Sequence, residues 1–146
     1  MTIHIRPFEE HQTSEVVALW RAAGLTRPWN DPHLDIARKL RVQPELFLVA
    51  VDDGAVIGTV MAGYDGHRGW LYYLAAAPNR RGEGIGRRLV EAAEERLLAL
   101  GCPKVQLMVR PENEAARGFY DSLGYEPFDI WATGKRLIVD GPADGV

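Results

Sequence analysis

The sequence predicts a mixed α/β fold, with helices laid on one central mixed sheet in the order β-α-α-β-β-β-α-β-α-β-β. Three observations carry this expectation. Apolar runs of strand length at 46–51, 56–64 and 70–76 follow one another with only turn residues between them. Ile85, Leu89, Ala92, Ala93, Leu97 and Leu100 then recur at helical spacing. Between the last of those strands and that helix lies Arg81-Gly82-Glu83-Gly84-Ile85-Gly86-Arg87, with glycine at alternate positions.

Taken in order, Ile3-His4-Ile5-Arg6 alternates as a first strand, which Pro7 ends. Val16, Val17, Leu19, Trp20 and Ala23 recur at helical spacing, with Gly24 as the stop. Asn30-Asp31-Pro32 supplies a cap and a first-turn proline for a second helix carrying Ile36 and Leu40. Asp52-Asp53-Gly54 reads as the hairpin turn between the strands at 46–51 and 56–64. Asp65-Gly66-His67-Arg68-Gly69 turns the chain again into the strand at 70–76. After the long helix at 87–100 comes a strand at 104–109, then a short helix that Asn113 caps and Gly124 ends. Two closing strands are expected near 125–131 and 133–139, with 140–146 as a frayed tail of one domain spanning 1–146.

Composition narrows the class. With 146 residues, 47% apolar and 25% charged, the chain suits a single soluble globular domain rather than a disordered one. A net charge of −3 gives no electrostatic footprint for nucleic acid, while the pairs Arg80-Arg81 and Arg87-Arg88 beside the glycine turn suit a small anionic ligand. Cys102 is the only cysteine, so no intrachain disulfide is expected and its role is burial. His4, His11, His33 and His67 are scattered without paired-ligand spacing, and no metal is expected. Ser14 and Ser122 lie in no nucleophile elbow. No apolar run approaches ~18 residues and no charged-then-apolar leader opens the chain, so a cytoplasmic protein with no membrane partner is the expectation.

Glycines at 82, 84 and 86 let the backbone turn tightly and approach a ligand without Cβ atoms in the way. A helix starting there aims unpaired N–H groups and its positive dipole end outward, which suits phosphate. The G-x-G-x-G spacing is not the G-x-G-x-x-G of a dinucleotide fold, and Arg87-Arg88 stand where a P-loop needs Gly-Lys-Ser/Thr. Spacing alone also admits a tight turn with no ligand.

The string Leu74-Ala75-Ala76-Ala77-Pro78-Asn79-Arg80-Arg81-Gly82-Glu83-Gly84-Ile85-Gly86 resembles the acetyl-CoA signature of the GNAT N-acetyltransferase superfamily. Asn113-Glu114-Ala115-Ala116-Arg117-Gly118-Phe119-Tyr120-Asp121-Ser122-Leu123-Gly124-Tyr125 is similar to that family's second block, Asn-x-x-Ala-x-x-x-Tyr-x-x-x-Gly-Phe/Tyr. The blocks stand in the family's order, and the resemblance extends over essentially the whole chain. Arg27-Pro28-Trp29-Asn30-Asp31-Pro32 and 63–69 resemble the YpeA-type branch. The resemblance implies an acyltransferase with acetyl-CoA as co-substrate. It also implies a sheet in which the strands before the two later helices are parallel neighbours that splay apart, so that a pantetheine arm enters like another strand.

Carried onto this chain, the resemblance gives each block a role. Backbone amides of Arg81, Gly82, Glu83, Gly84, Ile85, Gly86 and Arg87 would hold the pyrophosphate. Those near Leu74, Ala75 and Ala76 would bind pantetheine and supply an oxyanion donor. Asn113 and Phe119 complete the coenzyme side, and Tyr120 matches the general acid that protonates the coenzyme sulfur. Spacing alone also admits Tyr120 as a half-buried core aromatic. Arg27, Trp29, Asp31, Asp65 and Tyr72 are expected on the acceptor side. The base stays open among Asp65, His67, Tyr72, Asp31, Glu112 and a solvent-linked one.

Two departures stand out. Met108 falls where a related branch that acetylates protein N-termini carries Glu, and Glu83 sits where its carboxylate could oppose phosphate. With no evident nucleophile, direct transfer in a ternary complex to a primary amine of a small molecule is the leading expectation. A protein lysine or N-terminal acetyltransferase is the alternative among enzymes, and a non-catalytic coenzyme A sensor is the alternative from another class. The acceptor is a small-molecule amine or a peptide, and a homodimer is admitted.

Overall fold

A computed structural model describes residues 2–141. Among them, one sheet runs in sequence order: β1 (Ile3–Pro7), β2 (Phe47–Asp52), β3 (Ala55–Tyr64), β4 (Gly69–Ala76) and β5 (Val105–Gln106). Pairing is antiparallel from β1 to β4 and parallel between β4 and β5. Helices α1 (Thr13–Ala22) and α2 (Pro32–Lys39) come between β1 and β2, and α3 (Ile85–Ala99) and α4 (Glu114–Ser122) flank β5.

Strand β2 is apolar throughout because both of its faces are covered. Leu48 and Ala50 pack in the cluster that includes Ile85, Leu89, Val90, Ala93 and Leu97 of α3. Phe47, Val49 and Val51 pack in a second cluster with Val16, Val17 and Trp20 of α1 and Ile36 of α2. Each fully buried aliphatic side chain contributes about 1.5–3 kcal/mol. Two helix layers therefore sandwich the sheet. In α3, Val90 joins the buried stripe, while Leu100, expected in it, is half exposed beyond the helix end.

Local signals explain the connections. Asp53 and Gly54 take φ of 49° and 80°, the left-handed pair of a tight hairpin turn. Asp31 caps α2 by accepting the amide of His33 at 2.9 Å, with Pro32 in the first turn. Cys102 is buried and its thiol donates to the Lys104 carbonyl at 3.3 Å.

Two features of β4 open the sheet. Parallel pairing with β5 is confined to Gly69↔Val105 and Trp70↔Gln106, although β4 runs on to Ala76. The far half of β4 thus has no β5 neighbour, as the expected splay requires. A bulge also interrupts the β3–β4 ladder, where Tyr73 adopts φ of 52°. A non-glycine residue held there costs of order 1–3 kcal/mol and persists only where its surroundings fix it. Here the Thr59 hydroxyl donates to the Tyr73 carbonyl at 2.8 Å, the Trp20 indole donates to Thr59 at 2.9 Å, and Trp20 stacks on the Tyr73 ring at 3.7 Å.

The end of the chain departs from expectation. The strand expected at 104–109 is two residues long, and neither closing strand forms among the described residues. With so short an outer strand there is no ladder for 125–131 or 133–139 to join, and their apolar side chains stand exposed, Trp131 and Leu137 at 87% each. Side-chain contacts hold this stretch as a strap instead. Lys104 sits 4.2 Å over the Phe128 ring, and Asp140 pairs with Arg38 at 2.7 Å and Arg136 at 2.8 Å. Asp140 was expected to begin a frayed tail; its buried carboxylate anchors the strap to α2. The rest of that tail, 142–146, lies outside the described residues.

Candidate active site

The glycine turn forms because glycine reaches the left-handed region without a Cβ penalty: Gly82 and Gly84 have φ of 84° and 75°. Gly84 precedes α3 and offers no side-chain cap, so the first-turn amides of α3 keep no capping partner. A Cβ on Gly86 would come within 3.2 Å of the Phe119 ring, so glycine there lets α4 close on α3. In front of the turn lies a cavity of about 410 Å³ lined by Leu74, Ala75, Ala76, Arg80, Arg81, Gly82, Gly84, Ile85, Gly86, Arg87, Phe119 and Ser122.

Most residues expected on the coenzyme side meet at this cavity. Glu83, Asn113 and Tyr120 do not line it. Glu83 is gripped by Arg80 through two contacts, at 2.7 and 2.9 Å, and Arg80 also binds Asp52 at 2.8 Å. The Arg80 guanidinium holds the Glu83 carboxyl below the usual carboxylate range. The repulsion expected of Glu83 toward phosphate is thus met by a fixed counter-charge. Asn113 caps α4, its side-chain oxygen accepting the Ala116 amide at 3.1 Å.

Tyr120 packs edge-on between Phe119 and Tyr125, with ring centroids 5.1 and 5.5 Å away, against the α3 side of the core. No hydrogen bond engages its hydroxyl among the described residues. Burial pushes its pKa up to about 12, so it carries its proton at neutral pH.

A second cavity, of about 360 Å³, lies on the α2 side and is lined by Asp35, Arg38, Lys39, Val42, Met61, Tyr72 and Tyr73. A polar network frames it. The Tyr73 hydroxyl donates to Asp35 at 2.6 Å and accepts from the Asn30 amide at 3.1 Å, and Asn30 also donates to Asp35. Arg38 bridges Asp35 at 3.4 Å and Asp140, while Arg136 donates to Asn30 at 3.0 Å. Burial first, then hydrogen bonding to the Asp35 carboxylate, raises the Tyr73 pKa, so that hydroxyl stays protonated. The two cavities adjoin along one strand: Tyr72 and Tyr73 line the second, and Leu74, Ala75 and Ala76 the first.

Of the residues expected on the acceptor side, only Tyr72 lines this second cavity. Arg27 instead donates to the carbonyls of Gly24 and Thr26, both at 2.8 Å, and Asp31 is spent as the α2 cap. Asp65 organises its turn by accepting the amides of Arg68 and His67 at 2.7 and 2.8 Å, bonds that hold its pKa down. Trp29 projects from the loop, 59% exposed. Sequence reasoning missed Asp35, Arg38, Lys39 and Tyr73. Asp35 and Lys39 lie one helical turn apart, a spacing countable from the Asp31 cap, whereas nothing in the sequence marks the reversed backbone at Tyr73.

Among the described residues, no group of three or more His, Cys, Asp or Glu side chains is placed to hold a metal ion. No helix among them is long and apolar enough to cross a membrane.

Comparison with known proteins gives concordant matches. The profile of the acetyltransferase (GNAT) family matches residues 8–125. An acetyltransferase of Yersinia enterocolitica is 51% identical over 138 residues, covering 94% of this chain and 98% of that protein. The NatC complex bound to Gag peptide and CoA contains a chain that superimposes with a TM-score of 0.72 at 26% identity, covering 84% of each chain. AAC(6')-Iy in complex with a bisubstrate analog superimposes with a TM-score of 0.78 over 94% of this chain and 100% of that one, at 18% identity.

Proposed function

The chain belongs to the acetyltransferase (GNAT) family, and on that premise we propose that it moves an acetyl group from acetyl-CoA to a primary amine of a small molecule by direct transfer in a ternary complex. The observation that carries this reading is the meeting of two cavities along β4, at the stretch where the strand has lost its β5 neighbour. One cavity has the donors for coenzyme A: helix amides without a cap, Arg81 and Arg87 beside them, and the free edge of β4. The other has the volume of a small-molecule site.

In this reading acetyl-CoA is the co-substrate, with its pyrophosphate on the amides of the glycine turn and its pantetheine along the open edge of β4. The amide near Leu74 faces the oxygen on which charge develops during transfer; a preorganised donor of this kind contributes ~3 kcal/mol. Tyr120 lines neither cavity but packs on Phe119, which does, and in this reading its protonated hydroxyl gives the proton to the departing sulfur. Cys102 is buried behind the Lys104 carbonyl and lines neither cavity, which favours direct attack by the amine over an acetyl-enzyme. Asp31 and Asp65 are committed to amide hydrogen bonds away from the second cavity, so in this reading the proton lost by the attacking amine goes to a solvent-linked base.

The test is release of free thiol from acetyl-CoA by purified protein across a panel of small primary amines and peptides with free N-termini or lysines. Thiol release on small amines is the expected result. Release on peptides alone would move the assignment to a protein acceptor, and coenzyme binding without release on any acceptor would favour the sensor reading.

A further inference from the structure

The α2 cavity contains a cation with no ion-pair partner among the described residues, Glu45 acting on it only from a distance. Lys39 is partly buried there, and among the described residues its ammonium makes no hydrogen bond and no ion pair. The other charged groups at that cavity are already engaged. Arg38 is held by Asp140 and Asp35, and Asp35 by Tyr73, Asn30 and Arg38. Burying an ammonium disfavours its charged form, and desolvation lowers the pKa of Lys39 against the weaker opposing pull of Glu45. A half-desolvated cation facing a cavity gains most from an anion brought in by the ligand itself.

The arrangement also has a direction. Asp35 and Lys39 are one turn apart on α2 and line one cavity, an acid followed by a base. Asp35 lies beside Tyr73, where β4 leads into the coenzyme cavity, so the amine end of an acceptor belongs there. Lys39 is the last residue of α2, one turn beyond Asp35, and Val42 follows the helix.

We propose that Lys39 binds an anionic group on the acceptor, so that the substrates are amines carrying a carboxylate or a phosphate. This rests on the α2 cavity being the acceptor site of the reaction proposed above. Such an acceptor enters with its amine end toward the Asp35–Tyr73 pair and its anion toward Lys39, giving Lys39 the ion-pair partner it lacks.

The experiment uses matched pairs: a set of amino carboxylic acids and amino phosphates, each with the amine of the same length lacking the anion. Thiol release gives kcat/KM for each member with wild type, Lys39→Met and Lys39→Arg. Wild type should favour the anionic member at least tenfold, chiefly through KM. Lys39→Met should bring the ratio towards one, Lys39→Arg should restore most of it, and the carboxylate and phosphate arms identify which anion is read. A retained acetyl-CoA melting shift checks that the variants fold. Equal or better use of the neutral members by wild type would overturn the proposal, as would loss of both members equally in Lys39→Met. Calorimetric binding of the same pairs to the coenzyme A complex separates the two readings. Anion-dependent binding without turnover overturns the transfer reading alone, and absence of anion-dependent binding overturns this one.

Discussion

Tyr120 bears the single proton-transfer role assigned to one side chain, and its surroundings make that role testable. Its hydroxyl has no hydrogen bond to lose among the described residues, and its ring is held by Phe119 and Tyr125. Tyr120→Phe should therefore keep the melting temperature and acetyl-CoA binding. A positioned acid contributes ~10²–10⁴-fold, so single-turnover acetylation of a good amine should fall at least ~10²-fold. An unchanged single-turnover rate would return Tyr120 to a packing role. Glu83 shows the same dependence on neighbours. Its identity suggests repulsion of phosphate, but the grip of Arg80 ties the carboxylate to a positive charge.

At the scale of elements, the strap that crosses to α2 replaces strands with ion pairs. Asp140 holds it, accepting from Arg38, from Arg136 and from the Asp31 amide at 2.9 Å. The Arg38 guanidinium, then the Asp31 amide, keep the Asp140 carboxyl well below the usual carboxylate range. A depressed carboxyl adds stability that is fully present above its unfolded pKa of about 3.9 and is lost as pH falls below it. Asp140→Asn should consequently melt several degrees below wild type at neutral pH, with the gap closing as the pH is taken from about 5 towards 2. A gap that stays constant over that range would show that the ion pairs do not hold the strap. Because Arg38 also borders the α2 cavity, the same pairs fix that wall of the proposed acceptor site.

Across the whole molecule, what the sequence made legible was periodic or conformationally obligatory. The both-sided burial of Phe47, Leu48, Val49, Ala50 and Val51, the Asp31 cap and the left-handed glycines at 82 and 84 all follow from side-chain pattern and backbone allowance. The cavity before α3 was legible for the same reason, since most of its lining is one contiguous stretch around a turn. The α2 cavity was not. Its walls come from α2, Met61 of β3 and the bulged Tyr72–Tyr73 of β4, brought together by a register shift that no local pattern encodes. The closing strands failed differently: the segments near 125–131 and 133–139 could pair only with an edge to join, and β5 ends at Gln106.

If the turn before α3 binds the phosphates of acetyl-CoA, as proposed, thermal unfolding with and without the coenzyme will register it. Ligand at ~100 times its dissociation constant adds ~2.7 kcal/mol of stability. Gly86→Asp places a carboxylate in the first turn of α3, and Gly84→Asp does so where φ of 75° also strains any side chain. Both variants should start from a lower melting temperature, Gly84→Asp through backbone strain and Gly86→Asp through crowding of Phe119, so the shift with coenzyme is the quantity compared. Wild type should show a clear upward shift with acetyl-CoA, and both variants should lose most of it. A full shift retained by both would contradict it.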